Sequence, residues 1–166
     1  ELLFEQEEYD RLRSENHLDI ELEYWDESLE VGGKRGSNPG GLYSVPSTGG
    51  VENYYAKFLG NRDRIWNEWL ANRMYAEFGV AVPEVTVRNV GGRLAVTSKW
   101  IDSVSDVVGA LGDINSGFIM DAWLANWDIP WAIDANTKEM DGGRVRLDNG
   151  GAILFRANAG MKDLDG

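Results

Sequence analysis

The chain has no cysteine and a single histidine, His17, in 166 residues. Disulfides and thiolate metal sites are therefore excluded, and so are metal centres built on several imidazoles. Basic charge is also short: 16 Lys and Arg stand against 28 Asp and Glu, a formal net charge of -12. Such a surface repels phosphate backbones and anionic lipid, so neither nucleic acid nor a membrane surface is expected as a partner. A local basic pocket for a small phosphate ligand remains open. No apolar run approaches the roughly 18 residues of a bilayer-spanning helix, so a soluble protein is expected. The chain opens on Glu1 with no leader-like stretch, as a trimmed chain would.

What is present is a globular balance, 43% hydrophobic and 27% charged, with seven Trp and 20 Gly. The tryptophans promise a filled core and the glycines several tight turns. The length allows one domain, or two thin lobes that share a cleft.

Residues 4–16 are highly charged and read as a helix anchored by Phe4, Tyr9 and Leu12. Ile20, Leu22 and Tyr24 alternate with Glu21 and Glu23, the pattern of a strand. The segment GGKRGSNPGG (32–41) is the most glycine-rich, and ENYYAKF (52–58) reads as the next strand. From Arg62 to Phe78, Ile65, Trp66, Trp69, Leu70, Met74 and Phe78 follow helical spacing, with Gly79 at the expected end and Pro83 beyond. Residues 84–101 are two alternating strands around Gly91-Gly92. A second helix is expected over 114–127, its face set by Ile119, Trp123 and Trp127. Short strands follow to Phe155, and Asp148-Asn149-Gly150-Gly151 reads as a turn between two of them. Strands and helices are segregated, which favours an α+β fold over a regularly alternating parallel sheet.

Five features then fall into an order with chemical meaning. A glycine loop (Gly36, Ser37, Asn38, Gly40, Gly41) lies between two strands, and Lys57 is on the strand after it. Glu68 is in the following helix, Asp128 and Asn136 come after the second helix, and Asp148 is in the Asp-Asn-Gly turn. Amides of a glycine loop approach phosphate oxygens closely because no Cβ intervenes. A lysine neutralises the α/β phosphates of ATP and a helix glutamate holds that lysine. One aspartate orients the accepting hydroxyl, while an asparagine and a second aspartate carry magnesium. ATP and Mg2+ are thus the expected cofactors. Lys57 and Asp128 are the expected catalytic residues, and Asn136 and Asp148 the metal ligands. A carboxylate at position 148 near Asp128 would be repelled unless a cation were shared.

The segments YAKF, NEWLANRMYAEFGVAVPEV, DAWLANWD and RLDNGGAILFRA resemble a minimal atypical branch of the kinase-like superfamily. That branch contains bacterial type III effector protein kinases and related phage-encoded kinase-like domains. More distantly, the likeness extends to phosphatidylinositol kinases and persistence-toxin serine kinases. It covers roughly residues 36–157 and implies a two-lobe fold. An antiparallel sheet with one helix would form 36–102, a strongly reduced second lobe 103–166, and an N-terminal helix and strand (1–35) would pack on the first lobe. It also implies that Lys99, Trp100 and Ile101, in SKWID, form a hinge whose backbone binds adenine. Three departures from the protein-kinase pattern stand out: Asn136 follows Asp128 by eight positions, Asn126-Trp127 precede it, and 18 residues follow Asp148.

Each residue taken singly has an ordinary reading. Lys57 and Glu68 can be surface charges, Gly36 to Gly41 a hairpin loop, and Asp128 and Asp148 turn residues. Trp66, Trp69 and Trp123 read as core. His17 and Arg156 read as exposed, and Trp127 and Trp131 as core or cleft wall. Jointly the pattern favours a kinase that transfers the γ-phosphate of ATP to a protein hydroxyl. The likeness to effectors implies a host protein as substrate, with the enzyme cytoplasmic or delivered to a host cytosol; one such family modifies an ATP-dependent heat-shock chaperone. Two alternatives stay open: an inactive kinase-like module that binds nucleotide or serves a structural role, as in a phage particle, and an unrelated acidic binding domain.

Overall fold

The structure is a computed structural model that describes residues 22–35, 37–102, 105–106, 118–126, 137–140, 143–155 and 161–162. The expected helix at 4–16, Ile20, His17, Gly36, Trp127, Asp128, Trp131, Asn136 and Arg156 lie outside the described residues.

The fold is α+β. Strands β1 (Tyr24–Trp25), β2 (Glu30–Gly32), β3 (Gly40–Ser47), β4 (Gly50–Lys57), β5 (Val85–Val90) and β6 (Arg93–Lys99) form a six-stranded sheet in the order β1-β5-β6-β4-β3-β2. Helix α1 (Arg62–Glu77) connects β4 to β5. A second sheet holds β7 (Ser105–Asp106), β8 (Thr137–Met140) and β9 (Gly143–Arg146), and the short helix α2 (Phe118–Trp123) lies between β7 and β8 in sequence. Among the described residues no helix is long and apolar enough to cross a membrane.

The local reasons are legible. Gly91 and Gly92 have φ of 56° and 81°, the two left-handed residues that a tight β5–β6 hairpin needs. Asn61 caps α1 by accepting the Asp63 N–H at 2.7 Å, and Gly79 leaves the helix at φ 75°. Cross-strand register then sorts the side chains. Lys57 pairs with Val96 and Val96 with Val87, so these three share one face, with Leu59 and Ile65 of the α1 side packed against it. The opposite face buries Trp25, Tyr43, Tyr54, Ala56, Val90 and Ala95. Arg88 lies on that face, its guanidinium 4.4 Å from the Trp25 ring centre and 5.0 Å from that of Tyr54. The main sheet is therefore covered on both sides.

Four expectations need correction. The N-terminal strand is only Tyr24–Trp25, and its buried residue is Trp25, not Tyr24. Parallel pairing with β5 sets Trp25 beside Val90, over the aromatic core, and turns Tyr24 to solvent. Helix α1 buries Ile65, Asn67, Glu68, Ala71, Asn72 and Tyr75, while Leu70 and Phe78 of the expected apolar stripe are exposed. Helix α2 is described over Phe118–Trp123 alone, and Ile119 and Trp123 are 79% and 63% exposed; Met120, Asp121 and Leu124 face inward instead. Trp123 is thus not core, although its ring packs edge-on against Phe78. Finally, the Asp148 turn joins no hairpin. It follows β9, and Ala152 to Leu154 continue as turns rather than a strand.

The far side of α1 explains these differences. A third cluster (Ala71, Tyr75, Val80, Met120, Leu124, Ala152) joins α1, α2 and the chain after β9. A buried polar chain runs beside it. Arg146 and Asp121, each 2% exposed, pair at 2.9 Å, and the Tyr75 hydroxyl donates to Asp121 Oδ1 at 2.8 Å. Removing one partner strands a buried charge, which costs about 3–5 kcal/mol. Arg146→Met is accordingly expected to lose about that much in denaturant unfolding; a loss below about 1 kcal/mol would show the pair to be solvated.

Candidate functional site

Three separate elements bring three charges together. Lys57 is the last residue of β4, and its side chain points to the α1 side of the sheet. Glu68, on the second turn of α1, is 2% exposed and sits 2.7 Å from Lys57 Nζ through Oε1. Asp148, two residues beyond β9, approaches the same Nζ at 3.1 Å through Oδ1. The sequence pairing of Lys57 with Glu68 is therefore met. Asp148 joins them.

The glycines after Asp148 now have a physical role. The Gly150 N–H donates to Asp148 Oδ1 at 3.2 Å, and a Cβ on Gly150 would lie 2.9 Å from Glu68 Oε2. Only a residue without a side chain lets this turn lie flat against the buried carboxylate. Asn149, fully buried, fixes the turn from below: it donates to Asn72 Oδ1 at 3.0 Å and accepts from Asn126 Nδ2 at 3.3 Å. Asn67 of α1 receives the Leu154 N–H at 3.1 Å and donates to Ala152 O at 2.9 Å. The polar face of α1 thus serves as a template for the chain after Asp148.

The electrostatics follow from burial and these contacts. Burial alone would lower the Lys57 pKa, but the carboxylates of Glu68 and Asp148 outweigh it and hold the ammonium charged. Burial pushes the Glu68 carboxyl up, with Lys57 opposing. Burial would also raise Asp148, yet the Lys57 charge and the hydrogen bonds to Oδ1 hold it below the usual carboxylate range. Asp148 is 43% exposed and both its contacts fall on Oδ1, so it is the open end of the group and Glu68 the closed end.

The glycine segment borders this group. Gly40 pairs with Lys57 and Gly41 with Ala56, so both are strand residues of β3. A Cβ on Gly40 would come 2.4 Å from Ala56 O and 2.9 Å from the Tyr55 hydroxyl, and close strand packing requires glycine there. Of the described loop residues, 33–35 and 37–39 lie between β2 and β3. Ser37 is exposed and Asn38 half-buried. The Tyr55 hydroxyl tethers this loop by accepting the Arg35 N–H at 2.7 Å, and the Arg35 guanidinium lies 4.8 Å from the Trp100 ring centre.

The hinge residues are placed less simply. The Lys99 side chain pairs with Glu52 at 2.7 Å, on the sheet face opposite Lys57. The Lys99 and Trp100 N–H groups donate to Glu84 O, just before β5, and to Asn53 O in β4. Backbone available at this point is therefore limited to the carbonyl groups and the half-buried Ile101.

Among the described residues no three His, Asp or Glu side chains assemble as a metal cluster. Asp148 nevertheless suits magnesium, which takes one or two carboxylates and completes its shell with water and phosphate oxygens. Sequence reasoning missed Asn67, Asn72, Tyr75, Asp121, Asn126 and Asn149. Asn67, Asn72 and Tyr75 lie on α1 and Asp121 on α2, while Asn126 and Asn149 lie in no helix, so no single sequence pattern marked them. Comparison with known proteins finds no family model, no curated protein and no solved structure that matches this chain.

Proposed function

We propose that the protein is an ATP- and magnesium-dependent kinase that transfers the γ-phosphate to a protein hydroxyl. The observation that carries the reading is Lys57, whose side chain is 11% exposed and whose ammonium is held between Glu68 and Asp148 beside a glycine segment. An ammonium has three donors. Glu68 and Asp148 engage two of them, and the third would reach the α- and β-phosphates at the open end. Asp148, with Asn136, would hold magnesium. When bound, magnesium spreads positive charge over the phosphate oxygens and so favours their transfer. Asp128 would orient the attacking hydroxyl and take its proton as the new bond forms. Loop 33–39 would cover the phosphates, and 99–101 would contact the base.

In this reading residues 36–102 and 103–166 would be the lobes of a minimal kinase-like fold, and 1–35 would pack on the first. The substrate class follows from the same reading: a protein, and a host protein if the chain is an effector that acts in a host cytosol. One observation favours the inactive module instead. Lys57 and Gly150 both engage Asp148 through Oδ1, which competes with metal binding at that oxygen.

Two measurements decide. ATP with magnesium at 100 times its Kd should stabilise the protein by about 2.7 kcal/mol in a thermal shift. Labelled phosphate should then pass from ATP to the protein itself or to a protein acceptor. A shift without transfer supports the module, and the absence of any shift overturns the nucleotide-site reading.

A further inference from the structure

Residues 161–162 return to the chain that follows Asp148. Phe155 bridges Met161, and the Lys162 N–H donates to Leu154 O at 2.8 Å. This return places the Lys162 ammonium between two stretches that are distant in sequence. Its Nζ donates to Ala125 O at 2.6 Å and to Gly151 O at 2.7 Å. Ala125 lies in the approach to Asp128. Gly151 lies in the turn after Asp148.

Other ties join the same two stretches. The Ile153 N–H donates to Leu124 O at 2.6 Å, and Asn126 Nδ2 donates to Asn149 Oδ1 at 3.3 Å. Backbone strain falls there as well. Ala125 and Ile153, with φ of 50° and 59°, are the positive-φ residues other than glycine among those described. An L-residue resists this region, a β-branched one most of all, and it persists only where the surroundings over-determine it. Such strain concentrates where geometry serves function. Two carbonyl oxygens on separate strained stretches call for a compact cation with several donors, and lysine is that cation.

We infer that Lys162 is a positioning residue that staples the approach to Asp128 onto the Asp148 turn. The staple stands on the hydrogen bonds above; its catalytic consequence rests on the proposed kinase reading. Among the described residues its ammonium is placed on two backbone carbonyls, so its loss should act on how the stretch before Asp128 sits on the Asp148 turn rather than on nucleotide affinity.

The chain has no cysteine, so Lys162→Cys introduces a unique thiol that 2-bromoethylamine converts into a lysine analogue. Lys162→Met and unmodified Lys162→Cys are expected to lower kcat on the order of tenfold to hundredfold, as misplacement does. KM for ATP should stay near the wild-type value, and alkylation should restore most of the kcat. Hydrogen exchange, measured on the same proteins, should accelerate at the Ile153 and Asn126 amides in Lys162→Met. Unchanged kcat, or alkylated protein no better than unmodified, would overturn the positioning role. If the wild type transfers no phosphate, the kinase reading falls by itself. The staple is then judged by exchange alone: acceleration at those amides supports it, and unchanged protection overturns it.

Discussion

Asp148→Asn is expected to abolish phosphate transfer and leave the chain folded. The sequence suggested that this carboxylate would be destabilising beside Asp128 in the absence of a shared cation. The structure supplies a cation from the protein itself, since Lys57 lies 3.1 Å away. The sign of the stability effect reverses accordingly. A carboxyl held below its usual range contributes stability above about pH 3.9 and loses it as pH falls through the lowered folded value. The asparagine variant should therefore be slightly less stable than wild type at pH 7 and equal to it in strong acid. The difference should not exceed about 1 kcal/mol, because the side chain is 43% exposed and solvent screens the pair. Denaturant midpoints at pH 7 and pH 3, beside labelled-phosphate incorporation, check both halves. Wild-type incorporation by the variant would leave Asp148 as a turn residue.

Lys57→Met should have the larger effect on the fold. It removes the cation from Glu68, which is 2% exposed and cannot move to water without displacing α1 or the Gly150 turn. An uncompensated buried charge of this kind costs about 3–5 kcal/mol. The variant should also recover in acid. Burial raises the folded pKa of Glu68, so its contribution is fully present below the unfolded value of about 4.3 and is lost as pH rises through the folded value. Unfolding at pH 5 should thus require more denaturant than at pH 8, by a wider margin than in wild type, where Lys57 opposes the rise of the Glu68 pKa. Lys57→Met/Glu68→Leu should regain much of the stability, because no charge is left behind, yet transfer no phosphate. If the double variant is no more stable than the single one, Glu68 is not the source of the loss.

The parts legible in the sequence were those set by local rules. Gly91-Gly92 marked the β5–β6 hairpin because few other pairs accept two left-handed residues, and Gly79 marked the end of α1. Lys57 and Glu68 were paired across 11 positions because one chemistry required both. The inward face of α1 was not legible. Hydropathy counts apolar groups, and it assigned Leu70 and Phe78 to the interior, although both are exposed. The interior here is partly unpaired backbone, the Leu154 N–H and the Ala152 carbonyl, and Asn67 satisfies both. Which amide meets which carbonyl is decided by segments more than 80 residues apart in sequence. For the same reason hydropathy would leave the charge of Arg146 outside, although Asp121 draws it inside.

The amide-lined face of α1 has a mechanical consequence. Two greasy surfaces can slide or roll across one another with little penalty, since dispersion has no preferred direction. Hydrogen bonds from Asn67, Asn72 and Tyr75 are directional, and a rotation of the helix by one residue would break all of them at once without offering replacements. The helix therefore behaves as a keyed shaft rather than a roller bearing. Glu68 is carried on that shaft, so its distance from Lys57 is set by the key and not by whatever occupies the open end of the site.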